Sequence, residues 1–75
     1  MNKKIIKLIQ REQKRQRILF GIQNHKPPVW LTIIMGELGG AAEQHLKKDK
    51  KIYKTELIHI AASAISALEC FERNK

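Results

Sequence analysis

Pro28-Val29-Trp30-Leu31-Thr32-Ile33-Ile34-Met35-Gly36-Glu37-Leu38-Gly39-Gly40-Ala41-Ala42-Glu43-Gln44-His45-Leu46 is the stretch that decides the fold. Trp30, Ile34, Leu38, Ala41, Ala42 and His45 recur at three and four residues, the period of an α-helix, and Leu31 and Met35 widen the stripe. Proline suits the first turn of a helix, where its missing N–H is no loss. The spacing predicts a helix from about Pro28 to Leu46. Gly36, Gly39 and Gly40 lie inside it, and each glycine is about 1 kcal/mol less favourable than alanine there. Three within five residues need a cause: close approach of another helix, or a site that has lost side chains.

Upstream, Pro27-Pro28 bars helix for the residue before it. Gly21 to Pro28 therefore reads as a loop, with Gly21 as a helix stop. Residues 2–20 read as a first helix with Asn2 as N-cap. Ile5, Leu8 and Ile9 give it one apolar stripe, and Ile18, Leu19 and Phe20 close it. Gln10 to Arg17 is wholly polar, so the middle of this helix is expected to face solvent or a partner.

Downstream, Lys47-Lys48-Asp49-Lys50-Lys51 is a charged turn of the length that joins antiparallel helices. A third helix is predicted from about Tyr53 to Arg73, with Leu57, Ile60, Ala61, Ala64, Ile65, Leu68 and Phe71 as its stripe. The alanine- and serine-rich run from His59 to Leu68 lets another helix come close. No strand alternation, repeat or low-complexity segment is present. The expectation is one all-α domain, residues 1–75: a basic helix (1–20), a loop (21–28) and a helical hairpin (28–73). A chain of 75 residues has little interior of its own, so a homodimer or homotetramer is expected to complete the core.

The net charge of +8 is uneven. Lys3, Lys4, Lys7, Arg11, Lys14, Arg15 and Arg17 face only Glu12 in residues 1–17, a surplus of +6 that leaves +2 for the rest. Lys7, Arg11, Lys14, Arg15 and Arg17 form either a surface for phosphates or an acidic protein, or simply a solvated face. Nucleic acid ranks last, because no recognition-helix or aromatic-platform pattern accompanies the charge. Val29 to Met35 is too short to cross a bilayer, and no signal peptide is expected. Cys70 is the only cysteine, which suits a reducing compartment and a cytoplasmic location. It reads as a small apolar helix residue rather than a nucleophile.

The chemistry lies in two acids. Positions 37, 40, 41 and 44 share one helix face, and 56, 59, 60 and 63 share another. An antiparallel hairpin can bring Glu37 and Glu56 together as an oxygen-rich site for magnesium, which bridges substrate phosphates. Spacing alone equally allows two surface acids.

Four segments add a resemblance. Trp30 to Ala42 looks like "WLxILxEEVGEVA", the metal-binding helix of the MazG-like nucleotide pyrophosphohydrolases, and Glu56 to Ile65 looks like its partner, "ELxxVAAVAxA". Arg15-Gln16-Arg17 with Gly21-Ile22-Gln23-Asn24-His25 is similar to the "RQ…WGxQNH" lead-in of small phage and bacterial members, and Leu68 to Arg73 resembles the family's helix end. The resemblance spans roughly residues 11–73. It implies a helical bundle assembled as dimers or tetramers, in the host cytoplasm if phage-encoded. It also implies conversion of nucleoside triphosphates to monophosphates and pyrophosphate. Magnesium, or alternatively manganese, would be held by an E-x-x-E and an E-x-x-D pair. Glu37 and Glu56 match the first position of each pair. Gly40 stands where the second glutamate falls, His59 where aspartate is usual, and Gly36 where a neighbouring acid falls. Imidazole suits softer ions than magnesium, so this pattern implies weakened or lost catalysis, with no bound ion as one outcome.

Other candidates carry two readings each. His59 is a metal ligand, a general base or a hydrogen-bonded core residue. Gln23, Asn24 and His25 read a base edge, or stabilise their own loop. Trp30 stacks on a base, or belongs to the core. Lys51 and Lys54 touch phosphates, or are solvated. His45 suits a helix C-terminus.

Overall fold

The computed structural model describes residues 1–75 and contains three helices: α1 (Lys3–Phe20), α2 (Pro27–Leu46) and α3 (Lys50–Arg73). The all-α architecture expected from the sequence is what forms. Asn2 caps α1, its side-chain oxygen accepting from the N–H groups of Lys4 and Ile5. Gly21 ends α1 at φ 71°, its N–H bonded to the Arg17 carbonyl. α2 begins one residue earlier than expected, at Pro27. Two prolines in the first turn bring no N–H groups to cap, so Lys26 needs no capping side chain. α3 begins at Lys50 rather than Tyr53, because Asp49 caps it by accepting from Ile52 N–H. The turn is thereby shortened, with Lys48 at φ 60°.

α2 and α3 form the antiparallel hairpin. α1 also packs on α3, and α1 and α2 do not pack on each other. α3 is thus the spine, with a helix on either side. Seven of 75 residues are buried: Ile9, Glu12, Trp30, Ala41, Ala62, Ser63 and Cys70. Ala62 and Ser63 fall within the small-residue run.

The apolar stripes are rotated from their expected positions. On α2 the inward face is Trp30, Ile33, Ile34, Glu37, Ala41 and Gln44, while Leu31, Met35, Leu38, Ala42 and His45 are exposed. On α3, Leu57, Ala64, Leu68 and Phe71 are exposed. In α1 the polar middle does not simply face solvent: Glu12 is buried, and Gln13 and Gln16 are half-buried. The cause is common to all three. Each helix turns a partly polar face inward and leaves much of its apolar surface outside. No helix is long and apolar enough to cross a membrane.

Candidate functional site

Glu37 and Glu56 both project into the contact between α2 and α3. Glu37 Oε2 accepts from the Ser63 hydroxyl at 3.1 Å, and its Oε1 is buried without a partner. Burial raises the Glu37 pKa, against the lowering effect of the Ser63 hydrogen bond. Glu56 Oε1 lies 3.9 Å from His59 Nδ1, one helical turn on. Its Oε2 lies 3.1 Å from where a Cβ on Gly40 would stand. The Glu56 carboxylate therefore covers the bare glycine of α2. Gly36 and Gly39 face open space instead.

A third acid joins from α1. Glu12 Oε2 is 3.5 Å from His59 Nε2, so the imidazole stands between Glu12 and Glu56 without a hydrogen bond to the latter. Glu12 is held by Arg15, whose Nε and Nη2 donate to its two oxygens at 2.7 and 2.8 Å, and by Gln16 at 2.9 Å. The Arg15 hydrogen bond is the main reason its pKa is lowered, with burial opposing. A paired guanidinium offsets much of the cost of burying this carboxylate. Charge balance hid Glu12 in the sequence, where it counted only as the lone acid of a basic segment. Periodicity gives it away: 5, 9, 12 and 16 lie on one helical face, continuing the Ile5–Ile9 stripe.

The loop is tied to the end of α3. Arg73 Nη2 donates to the Gln23 carbonyl at 3.1 Å and to Asn24 Oδ1 at 3.0 Å, and Asn74 Nδ2 donates to Asn24 Oδ1 at 3.4 Å. Asn24 Oδ1 is thus engaged within the chain. The His25 carbonyl accepts from the Cys70 thiol at 3.5 Å, and the His25 ring meets Trp30 edge-on at 5.0 Å. Trp30 is buried, and its indole N–H has no hydrogen-bond partner within the chain, although it lies near enough to Cys70 to affect the thiol. That contact is the largest of the effects lowering the Cys70 pKa, with burial opposing. A cleft of about 580 Å³ opens beside this loop, lined by Gln13, Gln16, Arg17, Gln23, Trp30 and Arg73 among others.

The remaining candidates lie apart. Lys54 is exposed and unpaired; two residues before Glu56, it points about 200° away around α3. Lys7, Arg11, Lys14, Arg15 and Arg17 are exposed on α1. Arg15 is engaged with Glu12 and Arg17 lines the cleft, which leaves Lys7, Arg11 and Lys14 facing solvent.

Magnesium takes about six oxygens in near-octahedral order. No three His, Cys, Asp or Glu side chains stand close enough together to hold a metal ion. Glu12 is clamped by Arg15, and Glu37 by Ser63. As they stand, these residues do not fit magnesium.

No family model, curated protein or solved structure matches this chain. The site rests on its own geometry. It is a half-buried polar cluster spanning three helices, with Gly40 in its wall and a polar cleft nearby.

Proposed function

We propose that this chain is a MazG-like pyrophosphohydrolase homologue that has lost its magnesium chemistry and binds nucleotide phosphates without cleaving them. The observation that carries this reading is the position of the Glu56 carboxylate over Gly40, with Glu37 and His59 at the same level. A glutamate at residue 40 would enter the cluster at the point where the resembling enzymes place their second ligand. What remains is Glu12 clamped by Arg15, Glu37 with one oxygen on Ser63 and the other without a partner, and Glu56 with only a 3.9 Å contact to His59, too few free carboxylates for a magnesium site. The cleft beside Gln23 offers Arg17 for phosphate oxygens and glutamine amides for a base edge, with Arg73 also tied to the loop and Glu69 and Glu72 on the same lining.

The test is pyrophosphate release from common nucleoside and deoxynucleoside triphosphates with magnesium or manganese. The wild type is expected to release no more than Glu56→Ala, and to bind a triphosphate by calorimetry. Turnover abolished by Glu56→Ala would overturn the loss of catalysis; no nucleotide affinity would overturn the binding role. The variant carrying Gly36→Glu, Gly40→Glu and His59→Asp is expected to take up magnesium. Its failure to do so would remove the kinship.

A second reading is binding of an acidic protein. Lys7, Arg11 and Lys14 favour it, because they stand on one exposed face without ion pairs. A pull-down whose specific partner is lost on charge reversal at Lys7 and Arg11 would decide for it.

A further inference from the structure

We propose that one end of the bundle, formed by the start of α1 and the α2–α3 turn, rests on the surface of an anionic lipid bilayer. The side-chain contacts fix which ends lie together. Glu12 meets His59, Gln13 meets Ser66 and Glu69, and Arg17 shares the cleft wall with Glu72 and Arg73. α1 therefore runs parallel to α3. Both helices rise equally per residue, so Lys3, Lys4 and Lys7 stand level with roughly the first ten residues of α3, beside the turn that precedes it.

The fold gathers charge at this end from two distant segments. Residues 1–8 and 43–55 hold eight lysines against Glu43 and Asp49, which is +6 of the total of +8. Both acids are engaged: Glu43 pairs with Lys47, and Asp49 accepts from Ile52 N–H. The other seven lysines are exposed and make no ion pair. Apolar side chains stand uncovered among them: Leu46, 82% exposed, with Ile5, Ile52 and Tyr53. A notch of about 170 Å³ lined by Gln44, His45, Lys48, Asp49, Lys50 and Tyr53 gives one headgroup a seat. Other exposed apolar residues lack this setting. Leu31, Met35 and Leu38 lie on a face without charge, and Ile22 and Leu68 lie where Arg17 and Arg73 mix with Glu69 and Glu72.

Lipid fits this surface better than nucleic acid does. All four arginines, the residues that grip phosphates in a fork, lie outside these two segments. The Tyr53 ring packs against His45 at 5.7 Å and does not stand free to stack on a base. Lysines are hydrated point charges, and each one held near an anionic leaflet raises partition about fivefold. Leu46 and Ile52 then enter the headgroup layer, which a phosphodiester backbone does not offer. No helix is long and apolar enough to cross a membrane, so the contact is interfacial. Nothing here depends on the proposed nucleotide role.

Co-sedimentation with large vesicles tests it. The wild type is expected to bind phosphatidylcholine vesicles only when phosphatidylserine is added, and more weakly as salt rises. Lys3→Ala with Lys4→Ala, and separately Lys50→Ala with Lys51→Ala, are each expected to lower partition roughly 30-fold. Lys26→Ala with Lys75→Ala removes the same charge from the far end and is expected to lower it by about twofold or less. A polarity-sensitive dye on Leu46→Cys is expected to shift to the blue on the anionic vesicles, and the same dye on Ile22→Cys is not; the wild type, with only buried Cys70, is the blank. Equal binding to neutral vesicles, or an equal loss from the far-end pair, would overturn the proposal. So would tighter binding to duplex DNA or to polyglutamate than to the vesicles at the same salt. If an alanine pair fails to fold, the dye pattern decides.

Discussion

Glu56 covers Gly40. Its Oε2 sits 3.1 Å from the position a Cβ at residue 40 would occupy, so any side chain there meets a carboxylate first. That one contact separates two substitutions. Gly40→Ala needs only a small rotation of a flexible glutamate and gains helix propensity, so thermal unfolding should show about 0.5–1 kcal/mol of added stability. Gly40→Glu sets a second carboxylate against Glu56. In chelator it should unfold earlier, by on the order of 1 kcal/mol. On the proposed function, millimolar magnesium should recover that loss by binding the folded state alone. Identical melting with chelator and with magnesium would count against the site.

Glu12 is the next to test, because it joins α1 to His59. Glu12→Gln keeps the shape and removes the charge that Arg15, Gln16 and His59 share. Hydrogen bonds to charged groups contribute about 1.5–3 kcal/mol, and the substitution should cost roughly 1–2 kcal/mol in urea unfolding. A double-mutant cycle with His59→Gln should show coupling of about 0.5 kcal/mol or more. Additive effects would mean that the 3.5 Å contact carries no energy.

Glu12 also marks where sequence reading stops. The helices were legible because period, prolines and caps agree: Asn2 caps α1 by its own side chain, and Gly21 and the Pro27-Pro28 pair punctuate α1 and α2; the start of α3 was not, because Asp49, its cap, read as part of a charged turn. The level of Glu37, Glu56 and His59 was legible too, because an antiparallel hairpin with a short turn fixes which positions face each other. The face each helix turns inward was not. Composition favours burying Leu31, Met35 and Leu38, yet the chain turns half-buried Glu37 inward onto buried Ser63. A third helix supplies polar partners, and which face of α1 meets α3 depends on tertiary packing. Asn24 was ambiguous for a similar reason, since its acceptor role needs Arg73, 49 residues away.

Two carboxylates shifted in opposite directions give a pH profile with a turning point. Glu37 has its pKa raised from 4.5 by burial. Between its folded pKa and 4.5 the native state binds more protons than the unfolded chain, so acidification stabilises the fold in that window. Glu12 is lowered from 4.5, chiefly by its hydrogen bond to Arg15. Its contribution is present above 4.5 and is lost as pH falls through its folded pKa. In urea unfolding across pH, Glu37→Gln should remove the gain above 4.5, and Glu12→Gln the loss below it. Unchanged profiles in both variants would exclude these carboxylates as the source.

Asn24 governs access to Cys70. The thiol pKa is lowered, first by the Trp30 indole N–H, with the His25 carbonyl, Arg73 and Asn74 adding to it. A thiolate is the reactive form, but Cys70 is only 3% exposed, so reagent reaches it only when the loop lifts from α3. Asn24 Oδ1 accepts from Arg73 and Asn74 and is the main polar tie holding that loop. Asn24→Ala should therefore lower overall stability by about 1 kcal/mol and speed labelling by a disulfide reagent about fivefold or more, since each 1.4 kcal/mol of easier opening is a factor of ten. Trp30 reports the same event by fluorescence, being the only tryptophan and packed against His25. Labelling at the wild-type rate, with unchanged tryptophan emission, would mean that the loop is held by its prolines and not by this side chain.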